Sequence, residues 1–198
     1  MLRVAGGDIC GQRIQTPGDM IRPTQEKVRQ ALFSALGEKI GGCRFLDLFA
    51  GTGAVGIEAW SRGASVVCWV EMDARVFSVL RENVSHLCVS QRDGSGPDAN
   101  AGQSMLKTIR GDAVKFVSKI GNESLPYDVI FADPPYDTRG DRAWLRKTLQ
   151  ALDTGSILAP DGIVVIEQSI DEPSLDCQGW TVIRDKNYGG TRLRFLKK

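Results

Sequence analysis

Between residues 43 and 168 short apolar runs alternate with amphipathic stretches, and this alternation restricts the possible folds more than any other feature. "CRFLDLF" (43–49), "SVVCWVE" (65–71), "MLKTIR" (105–110), "YDVIFAD" (127–133) and "GIVVIEQ" (162–168) read as strands. Between them, "GAVGIEAWSRG" (53–63), "DARVFSVLRENVSHL" (73–87, with Asp73 as N-cap), "DAVKFVSKI" (112–120) and "DRAWLRKTLQAL" (141–152) read as helices. Strands that are apolar along their length and alternate with helices predict βαβ units. They imply an α/β fold with a parallel sheet covered by helices on both faces. "GWTVIRDKNYGGTRLRFLKK" adds two strands around a Gly-Gly turn, expected as an antiparallel hairpin at the sheet edge.

The flanks differ in character. The glycine-rich first twenty residues predict a short hairpin or extended arm. "RPTQEKVRQALFSALGEKIGG" predicts a helix, with Thr24 as candidate N-cap and Gly41-Gly42 as the stop. Residues 90–104, "SQRDGSGPDANAGQS", are polar and break the alternation, as a surface insertion would. The expected organisation is an N-terminal extension over 1–22 and a single α/β domain over 23–198.

Composition excludes several classes of function. The single histidine, His86, argues against Ser-His-Asp triads and His-based metal clusters, so no metal is expected. The five cysteines are odd in number and lack C-x-x-C spacing, which suits thiols of a reducing cytoplasm rather than a disulfide frame. No long apolar run follows the N-terminal basic residue, and no window approaches the length of a membrane span, so neither a signal peptide nor a membrane anchor is expected. The net charge of +1 does not announce a nucleic-acid partner. Basic residues do cluster locally: six bases against one acid over 184–198, and four against one over 139–147. No helix face calls for a partner, so the chain is expected to be a monomer.

"LDLFAGTGAVGIEA" (46–59) runs strand, glycine loop, helix, and Gly51, Gly53 and Gly56 form a complete G-x-G-x-x-G. Glu71 lies twenty residues beyond Gly51, at the end of the next strand, where an acid grips a ribose. A dinucleotide and S-adenosylmethionine both satisfy this pattern. The methyl donor lacks a pyrophosphate and carries a positive amine, so Asp47, four residues before Gly51, favours it. Asp112 follows the third strand, where it serves equally as a helix N-cap or a ligand contact. Asp47, Glu71, Asp112 and Asp133 all fall at the carboxyl ends of strands, the edge at which open α/β sheets bind ligands.

"DPPY" (133–136) completes the site. Pro134 and Pro135 fix φ and remove two N–H donors, leaving the Asp133 carboxylate and the Pro134 carbonyl as rigid acceptors. Two fixed acceptors can hold both hydrogens of a planar amine and free its lone pair for attack on a methyl group, while Tyr136 offers a flat face for stacking.

Together, "RVAGG", "IRPTQEKVRQALFSAL", "FLDLFAGTGAVGIEAWSRGA", "YDVIFADPPY" and "YGGTRLRF" resemble the RsmD family over nearly the whole chain except 90–104. The resemblance implies a Rossmann-like class I methyltransferase fold with a seven-stranded, mostly parallel sheet and a small N-terminal extension. It implies transfer of a methyl group from S-adenosylmethionine to N2 of one guanine of 16S ribosomal RNA in the cytoplasm, on naked RNA or within a small subunit or assembly intermediate. By resemblance Asp47, Ala50, Gly51, Gly53, Glu71, Met72, Asp112, Ala113 and Asp133 bind the cofactor, and Asp133, Pro134, Pro135 and Tyr136 hold the target amine. Arg13, Arg22, Thr24, Arg29, Tyr188 and Arg192 are the expected RNA contacts. An amino group on DNA or a protein glutamine remains an alternative substrate, and an NAD-binding module a more distant one.

Overall fold

The computed structural model describes residues 2–18, 26–89, 105–120, 125–135, 143–172 and 177–198. Arg22, Thr24, Tyr136 and the 90–104 insertion lie outside these residues. Seven strands form the main sheet: β3 (Arg44–Leu48), β4 (Val66–Glu71), β5 (Met105–Arg110), β6 (Tyr127–Ala132), β7 (Leu158–Ser169), β8 (Thr181–Tyr188) and β9 (Thr191–Lys197). Their order is β5-β4-β3-β6-β7-β9-β8. The first five are parallel, and β9 and β8 close the far edge as an antiparallel hairpin. The order reverses direction between β3 and β6, which opens a crevice at the carboxyl ends of those two strands.

Alternate residues of each strand feed two cores. Phe45, Trp69, Val129, Phe131, Val165 and Phe195 face helices α1 (Glu26–Leu36), α2 (Ala54–Ser61) and α3 (Ala74–Val84). Leu46, Leu48, Val70, Ile130, Ala132 and Ile166 face α4 (Ala113–Ile120) and α5 (Ala143–Thr154). Burial on both sides explains why these strands read as continuous apolar runs.

Two elements differ from the sequence expectation, and a third, the short N-terminal hairpin, agrees with it. Instead of beginning at 162, β7 starts at Leu158, before Pro160 and Gly162, and a register shift between Tyr127 and Val129 of β6 absorbs the irregularity. α3 ends at Val84 and continues as a π-helical turn over Ser85–Val89. The N-terminal hairpin, β1 (Leu2–Arg3) with β2 (Arg13–Ile14), has only two residue pairs. It is held instead by Val4, Ile9 and Ile14, which are buried in the first core. Cys43, Cys68 and Cys88 are buried; burial pushes the Cys43 thiol up to about 12 and that of Cys68 to about 11. Among the described residues no helix is long and apolar enough to cross a membrane.

Candidate active site

The crevice at the β3/β6 switch opens into a cavity of about 470 Å³. Of the residues singled out from the sequence, Asp47, Ala50, Gly51, Glu71, Met72, Asp112, Ala113, Asp133, Pro134 and Pro135 line it. The loop after β3 turns sharply: Phe49 (φ 60°), Gly51 (φ 56°) and Gly53 (φ 83°) are all left-handed. For Phe49 this conformation is strained, and the residue lies in the cavity wall. Gly56 meets a different demand. A Cβ there would overlap the indole of Trp69, which is fully buried beneath α2 and donates from Nε1 to the Gly53 carbonyl at 3.1 Å. The third glycine of the motif thus allows α2 to approach β4 closely.

Carboxylates tie this loop to the sheet. Glu71 accepts from Gly51 N–H through Oε2 (2.9 Å) and from Asp73 N–H through Oε1 (2.8 Å). Asp47, 1% exposed, accepts from Gly56 N–H through Oδ2 at 2.9 Å. Burial drives its carboxyl well above the usual carboxylate range; the Gly56 donor opposes that rise, and the neighbouring Asp133 and Glu71 carboxylates add to it. Asp112 caps α4, accepting from Lys115 N–H at 2.9 Å, so its capping role and its position in the cavity wall coexist. Asp73 caps α3 as expected, accepting from the N–H groups of Arg75 and Val76, which hold its carboxyl below the ordinary range.

S-adenosylmethionine fits these residues. The cavity lies in the range of small-molecule sites. Asp47 presents a buried carboxyl in the cavity wall, and a cationic amino-acid amine placed there would favour its ionised form. Glu71 ends β4 and lines the cavity at the sheet edge where open α/β sheets bind ligands.

Several wall residues have no counterpart among the sequence candidates: Phe49, Thr52, Trp144, Glu167 and Thr191. Phe49 and Trp144 meet edge to face, with ring centroids 6.4 Å apart. Glu167 follows the same signal as Asp47 and Asp133, an acid ending an apolar strand, and could have been found by it.

The expected RNA contacts are scattered. Arg13 lies on β2, in a shallow cleft with Arg3, Cys10, Gln12 and His86. Arg29 is a correction. It is 0% exposed, donates from Nε to Glu58 (3.1 Å) and from Nη2 to the Arg3 carbonyl, and cannot reach a phosphate. Arg192 forms a bidentate pair with Asp185, and Tyr188 packs against the first core.

Residues 2–197 match the family described as "Conserved hypothetical protein 95". The chain is 28% identical over 200 residues to ribosomal RNA small subunit methyltransferase D of Escherichia coli K12, covering 100% of this chain and 90% of that protein. The same-named protein of Buchnera aphidicola subsp. Acyrthosiphon pisum is 28% identical over 184 residues, covering 92% and 86%. The solved structure of yhhF from Escherichia coli superposes with a TM-score of 0.77 at 28% identity, covering 100% and 97%. An RNA methyltransferase from Salinibacter ruber, solved with S-adenosyl-L-homocysteine, shares the fold with a TM-score of 0.58 at 15% identity, covering 88% of this chain and 92% of that one. The architecture is that of class I S-adenosylmethionine-dependent methyltransferases, and the chain belongs to the conserved hypothetical protein 95 family, whose members include ribosomal RNA small subunit methyltransferase D.

Proposed function

We propose that the protein transfers a methyl group from S-adenosylmethionine to the exocyclic N2 amine of a guanine in 16S ribosomal RNA. One observation carries this reading: the acceptor-rich segment Asp133–Pro135 lines the same cavity as the glycine loop and its carboxylates. The similarity to ribosomal RNA small subunit methyltransferase D supports the substrate class.

The bound cofactor supplies an electrophilic methyl group. Asp47 would hold its amine, Glu71 its ribose, and Asp112 with Met72 and Ala113 would border its base. Asp133 and the Pro134 carbonyl would take the two hydrogens of the target amine and aim its lone pair at the cofactor. An ionised Asp133 would stabilise the amine as it becomes positive and would receive the departing proton first. Tyr136 would stack on a base turned out of its helix. Arg13 and the C-terminal bases would contact phosphates, and the small near-neutral chain suits a substrate presented on a small ribosomal subunit in the cytoplasm.

The test is nucleoside mass spectrometry on small subunits and naked 16S RNA from a strain lacking the gene, incubated with the protein and labelled cofactor. N2-methylguanosine at one site is the expected product. Absence of transfer to both substrates, with S-adenosylhomocysteine still bound, would overturn the substrate assignment. Asp133→Ala should retain S-adenosylhomocysteine binding and lose about 10²–10⁴-fold in turnover; unchanged turnover would overturn the mechanism.

A further inference from the structure

The cavity wall beyond Asp133 carries a carboxylate with no part in the chemistry described above. Glu167, at the carboxyl end of β7, is 3% exposed and lines the cavity. β6 pairs with β7 through Phe131↔Val165 and Ala132↔Ile166, so one further step along both strands sets Asp133 beside Glu167. Glu167 shares its strand face with Ile163 and Val165, and Asp133 shares its face with Val129 and Phe131; all four apolar residues belong to the first core. Asp133 and Glu167 therefore sit on one sheet face of neighbouring strands, whose backbones run about 4.8 Å apart.

The cofactor side of the cavity lies in the opposite direction, on β3 and β4, where Asp47 and Glu71 stand. The lone pair of an amine conjugated to its ring stands nearly perpendicular to the ring plane, so a base held at Asp133 lies with its ring across the attack axis. On the side of Asp133 away from β3, the cavity wall beside that ring is formed by Glu167 of β7 and Thr191 of β9.

We propose that Glu167 is a specificity-determining residue that accepts the N1–H of the target guanine while Asp133 and the Pro134 carbonyl hold its N2 amine. An ionised carboxylate only accepts hydrogen bonds. Guanine presents a ring N–H beside its amine, whereas adenine and cytosine each present a bare ring nitrogen there. An acceptor at Glu167 pairs with guanine and opposes the lone pair of the other two. Leaving such a group unmatched is how buried polar sites reject close analogues. This inference rests on the guanine-N2 reading above.

The test uses small subunits reconstituted with either guanine or 2-aminopurine at the target position. 2-Aminopurine keeps the N2 amine but has no proton on N1. Wild-type protein should methylate the guanine subunit about 10–100-fold faster. Glu167→Gln should shrink or invert that ratio, because its carboxamide can donate to the bare N1. Binding is read separately from the fluorescence that 2-aminopurine gains when it leaves the stack, in the presence of S-adenosylhomocysteine. Glu167→Gln should bind the 2-aminopurine subunit more tightly than wild type does. Equal losses on both bases in Glu167→Gln, or a wild type that treats both bases alike, would overturn the proposal; the second result does not depend on the variant folding. If the wild type leaves the guanine subunit unmethylated, the guanine-N2 reading itself fails, and this inference falls with it.

Discussion

The two ends of α2 put carboxylates to opposite uses. At the N-terminal end, Asp47 and Glu71 brace the glycine loop through the N–H groups of Gly56 and Gly51, and both carboxylates still border the cavity. At the C-terminal end, Glu58 is 0% exposed and enclosed by donors. Its Oε2 accepts from Arg29 Nε (3.1 Å) and Ala5 N–H (3.3 Å), and its Oε1 accepts from Arg62 Nε (3.1 Å) and Nη2 (2.8 Å). Ser61 adds a second clamp: its hydroxyl donates to the Gly6 carbonyl (2.8 Å) and accepts from Ile9 N–H (3.2 Å), while its own carbonyl accepts from Asp8 N–H (2.8 Å). A charge enclosed by donors fastens the N-terminal segment to the sheet, and a charge left at a cavity wall is available to a ligand. One helix therefore joins an anchor to a binding loop.

The largest expected effect is at the anchor. Glu58→Ala leaves Arg29 buried without its counter-charge, which should destabilise the protein by ~3–5 kcal/mol. Chemical denaturation reads the loss, and S-adenosylhomocysteine affinity of the remaining folded protein should be unchanged. A shift below ~1 kcal/mol would mean that the enclosed charges behave like an exposed pair. A smaller effect belongs to the other end. Gly56→Ala drives a methyl group into Trp69, at about 1–3 kcal/mol. Because Gly56 N–H also holds Asp47, this variant should lose stability and cofactor affinity together. Titration calorimetry showing intact affinity would separate the loop from the helix packing.

The difference between the two ends also governs what could be read from the sequence. The binding loop is local: Gly51, Gly53 and Gly56 stand at fixed spacing, and Asp47, Glu71 and Asp133 end recognisable apolar runs. The anchor is not local. Glu58 finds Arg29 twenty-nine residues away, and no residue pattern reports that both are buried, so Arg29 read as a surface base awaiting phosphate. Sheet order has a similar split. Parallel strands followed from their apolar character, but the start of β7 at Leu158 was hidden by Pro160 and Gly162, which signal a loop unless a bulge in the pairing accommodates them. Glu167 ends an apolar run as Asp133 does, but it belongs to no motif, and only the register beside Asp133 gives it meaning.

The smallest effect sharpens the comparison most, because its sign differs between the two ends. Burial raises the carboxyl of Asp47 well above its ordinary value of 3.8. Between that value and its raised one, the folded protein holds a proton that the unfolded chain has released, so stability falls as pH rises through this window. Asp47→Asn keeps an acceptor for Gly56 N–H and removes the charge. Its melting temperature should exceed that of wild type at neutral pH, and the difference should close at pH values below the ordinary carboxylate range. Binding runs the other way: a cationic amine favours the ionised carboxylate, so wild-type affinity for S-adenosylhomocysteine should fall as pH drops through the raised pKa of Asp47. Asp47→Asn should bind more weakly at neutral pH, with a flatter profile. Calorimetry in buffers of different ionisation enthalpy should show proton release on binding for wild type that Asp47→Asn lacks. A variant that melts lower than wild type at neutral pH would make Asp47 a clamp like Glu58, and the contrast between an open and an enclosed carboxylate would fail.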